Sequence, residues 1–165
     1  MNLVKWPDEI LLKRASNVSD ISDAIEDIND SVQVMRDNNG LGLAAPQVGI
    51  SKRFFILDEA RLSEIDEREP SGEILVMINP VILDGFGEIV SQEGCLSVPG
   101  EIFNVPRASF ITVRFQDIDG RDRKEDFSGL TAIVIQHEHD HLDGIVLVER
   151  ESLERRRDIR EKLSA

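Results

Sequence analysis

The sequence predicts an α+β fold: a single domain spanning residues 1–165, in which antiparallel strands pack around a central helix, with further helices near the N-terminus and the C-terminus. Three observations support this prediction. A chain of 165 residues has the length of one domain and can bury a core. With 41% hydrophobic and 31% charged residues, it has the composition of a globular protein. Strand-like runs fill the middle of the chain and helical periodicity marks its ends, without internal repeats.

The first predicted helix covers residues 20–37, "DISDAIEDINDSVQVMRD". Its apolar residues recur at helical spacing, at Ile21, Ala24, Ile25, Ile28, Val32 and Met35. Ser19 or Asp20 can cap its start, and "NNG" at Asn38–Gly40 ends it. A glycine-rich stretch, "GLGLAAPQVGI", follows, and the next run, Lys52–Asp58, is predicted to be a strand.

The middle of the chain is predicted to be mainly strand. Residues 59–72 are acidic and polar and suggest a surface loop, to which the sequence assigns no role. Residues 73–83, "EILVMINPVIL", suggest a buried strand that ends at Pro80, because proline cannot donate a ladder hydrogen bond. Two alternating runs, 110–117 and 121–127, flank "IDG" and predict a hairpin.

Two helices are predicted in the last third of the chain. The first runs from about Ser128 to Leu142, and Gly144 is placed to terminate it. The second occupies residues 150–165, at the C-terminal end. The first of these carries all three histidines of the protein and is the central helix of the predicted fold.

Composition excludes several classes of function. No apolar run approaches the roughly 18 residues of a membrane helix, and the N-terminus has no apolar signal core, so a cytoplasmic protein is expected. The net charge is −13, although residues 150–165 hold six basic against four acidic residues. Such an acidic body disfavours nonspecific nucleic-acid binding, and no specific DNA binding is expected. The single cysteine, Cys95, excludes an internal disulfide.

The pattern H-E-x-x-H predicts a metal site. His137 and His141 are four residues apart, so a helix brings both imidazoles to one face about 6 Å apart. Glu138 lies roughly 100° around the helix from His137, where it can take a proton from a water on the metal ion. The apolar run "LTAIVI" before the motif indicates a buried helix, and buried ionisable groups need partners.

The two other polar residues of this segment are predicted to lie off the metal face. His139 is two residues from each ligand, about 200° around the helix, and is expected to be a partly exposed residue without a ligand role. Asp140 is also off the ligand face and is predicted to pair with a basic residue such as Arg107.

A catalytic site of this kind usually has a third protein ligand, and the spacing leaves it open. A longer motif with a third histidine matches through Gly144 but fails at Leu147. Glu161 lies twenty residues past His141, a plausible spacing for a glutamate-type zinc protease. Cys95, upstream in "SQEGCLSVPG", is the remaining candidate.

Three separated segments resemble the motifs of peptide deformylases. "GLGLAAPQ" (Gly40–Gln47) is similar to the first motif, G-x-G-x-A-A-x-Q, and "EGCLS" (Glu93–Ser97) to the second. "QHEHDH" (Gln136–His141) is similar to the third, Q-H-E-x-D-H. They occur complete and in the family's order, and the resemblance runs from about Leu3 to the C-terminus. It implies a hydrolase of protein biosynthesis that removes the formyl group from the N-terminal methionine of new polypeptides and releases formate.

The resemblance also implies roles for individual residues. Cys95, His137 and His141 would hold one metal ion per chain, and Glu138 would be the general acid and base. Gln47 and the backbone N–H of Leu96 would stabilise the oxyanion. The resemblance places further residues along the substrate cleft: Leu41, Gly42, Glu93 and Gly94. The methionine side chain needs an apolar pocket, and its predicted walls lie one helical turn before the first histidine, at Ile133 and Val134.

Cofactor and partner follow from the same reasoning. One cysteine with two histidines suits zinc by softness and geometry. The resemblance instead implies Fe(II) as the physiological metal, with Zn(II), Ni(II) or Co(II) able to substitute. The basic residues of the last helix suggest a docking element for the ribosome, as in some family members, although a solvated amphipathic helix packed on the domain explains them as well.

Two other functions fit part of the sequence. A zinc endopeptidase would use His137, His141 and Glu161 with Glu138 as base, and would need neither Cys95 nor Gln47. A metal-binding or ribosome-associated module without turnover would need no catalytic groups. Because Glu138 and Gln47 are both present, the sequence favours the deformylase over the module.

Overall fold

The computed structural model describes residues 1–165 and confirms the predicted α+β class. Its helices are α1 (Ile25–Asp37), α2 (Glu59–Ile65), α3 (Gly129–Leu142) and α4 (Leu153–Ser164). Its strands are β1 (Gly42–Ala44), β2 (Phe54–Asp58), β3 (Ile74–Phe86), β4 (Ile89–Cys95), β5 (Val98–Arg107), β6 (Phe110–Gln116) and β7 (Asp122–Ser128). None of the helices combines the length and the hydrophobicity that a membrane span requires.

All strand pairs are antiparallel, and they form two units. A five-stranded sheet has the order β1-β2-β3-β6-β7, so that β1 is an edge strand, and β4 pairs with β5 in a separate two-stranded ribbon. Strand β2 is buried on both faces: Phe55 and Leu57 lie in the core cluster that includes α3, whereas Phe54 and Ile56 lie in the cluster that includes α1. The sheet is therefore covered by a helix on each side, with α3 at the centre of the molecule.

Several predicted elements are confirmed. The first helix begins at Ile25, later than the predicted residue 20, after a 3-10 turn that Asp20 caps, and it ends at Asp37 as predicted, shortly before Asn39 with a φ of +55°. The hairpin β6–β7, helix α3 with Ser128 at its N-cap position, and the C-terminal helix α4 also match the predictions.

The predicted end of a strand at Pro80 is wrong, because β3 continues to Phe86. The pairing of β3 with β6 is irregular between Ile78 and Val81, so the proline sits where the regular ladder is interrupted. Asn79 adopts a φ of +50° there, and its side chain bonds to both backbone groups of Val18. A bulge with its own hydrogen bonds thus carries the strand past the proline.

The prediction of a surface loop over residues 59–72 is also wrong, since its first half is helix α2. The segment has a structural role that its composition conceals. The Asp66 carboxylate accepts hydrogen bonds from the N–H of Leu130 at 2.8 Å and of Thr131 at 2.9 Å. Arg68 donates to the Thr131 hydroxyl at 2.8 Å and pairs with the buried carboxylate of Glu59. Asp66 therefore caps the N-terminal end of α3 from a distant part of the chain.

The C-terminal end of α3 is fixed in a similar way. The carbonyl of Leu142 accepts from the Arg53 guanidinium at 2.8 Å and from the N–H of Ala15 at 2.9 Å. Gly144, with a φ of +74°, then turns the chain so closely past Leu12 that a Cβ would lie 2.9 Å from its backbone. The central helix is thus held at both ends by other segments.

Replacing Asp66 with alanine is expected to lower the free energy of unfolding by about 1–2 kcal/mol, as for the loss of a helix N-cap. Urea unfolding at pH 7 measures this effect. Glu64→Ala removes a neighbouring acidic residue that is exposed, and it serves as the matched control. Equal stability of the two variants would show that the Asp66 cap does not stabilise the fold.

Candidate metal centre

Three predicted ligands meet at one point. Cys95 is the last residue of β4, and His137 and His141 project from one face of α3. One ligand atom from each lies within 4.8 Å of the others, and the Cys95 Sγ is 3.4 Å from the His141 Nε2. Tetrahedral coordination with bonds of about 2.0–2.3 Å separates ligand atoms by roughly 3.3–3.8 Å. The donor set and its spacing therefore fit a tetrahedral metal ion with one position open.

The competing third ligands are not at this site. Leu147 cannot ligate, and Glu161 is exposed on α4 and does not belong to the group. His139 also stays outside it, as the helical spacing predicts, and its Nδ1 lies 3.6 Å from the Asp143 carboxylate.

The surroundings of Cys95 favour the ionised form of its thiol. Burial raises the pKa of the Cys95 thiol, but the neighbouring His141 and His137 outweigh burial and hold the pKa well below its usual range. The thiolate is the form that binds metals, so this environment favours the ligating state of the cysteine.

A chain of buried charged groups orients His137. Its Nδ1 lies 2.9 Å from a Glu93 oxygen, which leaves Nε2 for a metal. Arg107 donates two hydrogen bonds to Glu93, at 2.7 and 2.8 Å, and one to Asp140 at 2.7 Å. The predicted pairing of Asp140 with Arg107 is confirmed. Burial opposes the ionisation of Glu93, yet Arg107 and His137 lower its pKa to about 2.

The sequence does not predict this role of Glu93, because the resemblance assigns Glu93 only to the substrate cleft. The signal that could have found it is its position two residues before Cys95. In a regular strand, residues two apart share a face, so this spacing favours a Glu93 side chain that points toward the same helix as the cysteine. The sequence does not predict the ribbon β4–β5, whose first strand carries both residues.

Glu138 lies beside the ligands without joining them. It is 4% exposed, and its Oε2 has no hydrogen-bond partner in the protein. Burial raises the pKa of its carboxyl group. A buried carboxylate with a free oxygen and a raised pKa is suited to accept and return a proton.

Gln47 is fixed with its amide NH₂ toward the same point. Its Oε1 accepts from the N–H of Ala44 at 3.0 Å, so Nε2 faces the Cys95 Sγ at 3.6 Å and the Ser97 hydroxyl at 3.2 Å. At 1% exposure, Gln47 is not a surface loop residue. Its donor group is thus preorganised beside the candidate metal site.

A cavity of about 240 Å³ opens next to these groups. The residues that the sequence placed in the cleft all line it, together with Gln47, Leu96 and Glu138: Leu41, Gly42, Glu93, Gly94, Ile133 and Val134. Three further lining residues were not predicted: Ser91, Gln92 and Leu130. The apolar end, formed by α3 and Leu41, suits a side chain of the size of methionine.

Gly42 sets the distance between β1 and α3. A Cβ at this position would lie 2.8 Å from the Val134 Cγ1 and 3.0 Å from the Glu138 Cγ, closer than real Cβ contacts. Alanine here is expected to displace the Glu138 carboxylate and to lower kcat/KM about 10–100-fold, since misplacement by about 1 Å can cost 10²-fold. Formate release and metal content measure the two effects, and metal content is expected to stay the same. Full activity of Gly42→Ala would show that the contact does not position Glu138.

Comparisons with known proteins agree on one family. A family model described as polypeptide deformylase matches residues 1–157. A peptide deformylase of Thermodesulfovibrio yellowstonii is 39% identical over 163 residues, which cover 98% of this chain and 95% of the relative. The solved structure of a peptide deformylase from Legionella pneumophila has a TM-score of 0.85 at 37% identity, covering 99% of this chain and 92% of the other. That of Ehrlichia chaffeensis, in complex with actinonin, has a TM-score of 0.88 at 34% identity and coverages of 99% and 95%.

Proposed function

The chain belongs to the polypeptide deformylase family, whose metal-dependent members remove the N-terminal formyl group from nascent polypeptides, and we propose that Cys95, His137 and His141 hold its metal ion. The observation that carries the proposal is the convergence of these three ligand atoms at the edge of a cavity that Glu138 and Gln47 also line. A divalent ion held by these residues would lower the pKa of a water and polarise the formyl carbonyl.

Glu138 is proposed as the group that moves protons. Its free Oε2 accepts the proton of the attacking water and then donates it to the amine that leaves as formate is released. Gln47 donates from its fixed amide to the oxygen on which negative charge develops, and the N–H of Leu96 is the second donor. The loss of one such donor costs about 2.7–4 kcal/mol of transition-state stabilisation.

The substrate is proposed to bind as an extended strand. Because β1 pairs only with β2, its other edge is free to bond to a peptide backbone next to the cavity. The methionine side chain then occupies the apolar end of the cavity, between Leu41, Ile133 and Val134. Because the substrate is a nascent polypeptide, we place the reaction in the cytoplasm.

Formate release from formyl-Met-Ala-Ser by anaerobically purified, Fe(II)-loaded protein tests the proposal, run beside Cys95→Ser and Glu161→Ala. We expect the cysteine variant to lose metal and activity and the glutamate variant to keep both. Activity that survives Cys95→Ser and disappears in Glu161→Ala would instead support the glutamate-type hydrolase. Metal binding without formate from any form would support the module without turnover.

We propose Fe(II) as the physiological metal, with Zn(II), Ni(II) or Co(II) able to occupy the same site. The thiolate and two imidazoles are ligands for all four ions, so the donor set alone does not select iron. Equal kcat/KM of the zinc-loaded and the anaerobic iron-loaded protein would contradict the preference. Loss of activity in air, restored by reduction and fresh Fe(II), is the expected result.

Helix α4 is proposed to contact the ribosome through its exposed basic residues. Arg155 and Lys162 pair with Glu101 of the ribbon, whereas Arg157 is exposed and makes no ion pair. Removal of the whole helix would also remove the buried Ile159, so single changes are the better test. Arg157→Glu is expected to weaken co-sedimentation with ribosomes at low salt, and Arg121→Glu, in the β6–β7 turn, is the control. Equal co-sedimentation of both variants would contradict docking by α4.

A further inference from the structure

The ribbon β4–β5 has an outer face without a charged residue. Side chains alternate along both strands, so that Ser91, Glu93, Phe103, Val105 and Arg107 are buried and their neighbours are exposed. The outer face consists of Val90, Gln92, Gly94, Ile102, Asn104 and Pro106. Charged residues make up 31% of the chain, and about two would be expected among six exposed positions. Val90 is 68% exposed and Ile102 is 60% exposed.

This face is continuous with the substrate cleft. Gln92 and Gly94 also line the cavity beside the candidate metal ligands. A second, wider groove of about 600 Å³ shares Gly94, Cys95 and Leu96 with that cavity and extends to Ile102, with Lys5 and Glu101 along its wall. A peptide that leaves the cavity along β4 therefore meets the outer face of the ribbon next.

We propose that the outer face of the ribbon binds the uncharged, extended residues of the substrate polypeptide that follow those held in the cavity. The inference rests on the deformylase function and extends it to longer substrates. Exposed Val90 and Ile102 can bury apolar surface against such a segment, and none of the six side chains of the face is itself charged. The net charge of −13 further disfavours acidic segments. The chain would thus prefer nascent polypeptides with apolar, uncharged N-terminal sequences.

The test compares kcat/KM for three formylated peptides: formyl-Met-Ala-Ser, a ten-residue peptide with valine and serine at positions 4–9, and the same peptide with aspartate at alternate positions. The uncharged long peptide is expected to exceed the tripeptide about 3–10-fold, and the acidic one to lose this advantage. Val90→Ser combined with Ile102→Ser should reduce the ratio of long to short peptide toward one. Val81→Ser combined with Leu83→Ser, on β3 and 43% exposed at each position, is the matched control and should keep the ratio.

Several outcomes would overturn the proposal. The long peptide could show no advantage over the tripeptide, or the control could reduce the ratio as strongly as the ribbon variant. A third outcome is a dimer in sedimentation that the ribbon changes dissociate without any effect on the ratio, which would assign the face to a second copy of the chain. No formate from the tripeptide would instead count against the deformylase function itself, so the two failures are distinguishable.

Discussion

Replacing Glu138 with glutamine is expected to lower kcat for formate release about 10²–10⁴-fold, the usual contribution of a positioned general acid or base. Glutamine keeps the size of the side chain but can neither accept nor return the proton. Metal content, measured by emission spectroscopy, is expected to stay at the wild-type value, because Glu138 is not in the ligand group. Loss of turnover with full metal occupancy would separate proton transfer from metal binding.

The stability of this variant provides an independent check. Burial raises the pKa of Glu138, so the folded state disfavours its charged form, and this cost grows as pH rises from the ordinary pKa of 4.5 through the raised one. At pH 7, Glu138→Gln in the metal-free protein should therefore be at least as stable to heat as the wild type. Glu161→Gln, at an exposed position, should change neither activity nor stability. A Glu138→Gln enzyme within tenfold of wild type would remove Glu138 from the mechanism.

Arg107→Met is expected to lower the free energy of unfolding at pH 7 by about 3–5 kcal/mol, as when one partner of a buried ion pair is removed. Arg107 is 6% exposed and bonds to Glu93 and Asp140, so the methionine would leave the buried Glu93 carboxylate without its cation. Metal affinity should fall about 10–100-fold as well, because Glu93 orients His137. Urea unfolding and a metal competition assay measure the two effects.

The pH dependence of this loss has a definite sign. The pKa of Glu93 is lowered from 4.5 to about 2 in the folded protein, so its pairing stabilises the fold fully above about pH 4.5 and progressively less as pH falls toward 2. The difference between wild type and Arg107→Met should therefore be largest at pH 7 and smaller in acid. Arg123→Met breaks ion pairs of a side chain that is 38% exposed and should cost at most about 1 kcal/mol. An equal loss of unfolding free energy in the two variants would show that the burial of Arg107 does not increase the cost of removing its ion pairs.

The sequence predicted the structure best where a residue pattern is compatible with only one type of secondary structure. H-E-x-x-H requires a helix to place two imidazoles together, and α3 does so with the predicted bounds to within one residue. Proline was a less reliable signal for the end of a strand. Pro80 lies within a strand because a bulge, held by the side chain of Asn79, relieves the ladder there. Only the tertiary structure shows that Asn79 is available for this purpose.

Long-range partners account for the other errors. The acidic composition of residues 59–72 suggested a solvated loop, but Asp66 and Glu59 have partners on α3 and within the segment itself. Nothing near Asp66 in the sequence indicates a helix that begins more than sixty residues later. The charged chain from Asp140 through Arg107 and Glu93 to His137 was only partly predicted, because it depends on the ribbon, which lacks a strong strand pattern in its "EGCLSVPGE" turn.

The two distant caps of α3 have a consequence for how the protein is made. Asp66 and Arg53 precede the helix ends that they bind by 64 and 89 residues, so α3 cannot acquire its native ends by local folding. During synthesis the sheet strands emerge first, with Phe55 and Leu57 lacking the helix that later covers them. The three proposed metal ligands can come together only after His141 has left the ribosome. Each new copy therefore stays inactive until α3 has been made, and until then its apolar sheet face lacks its cover.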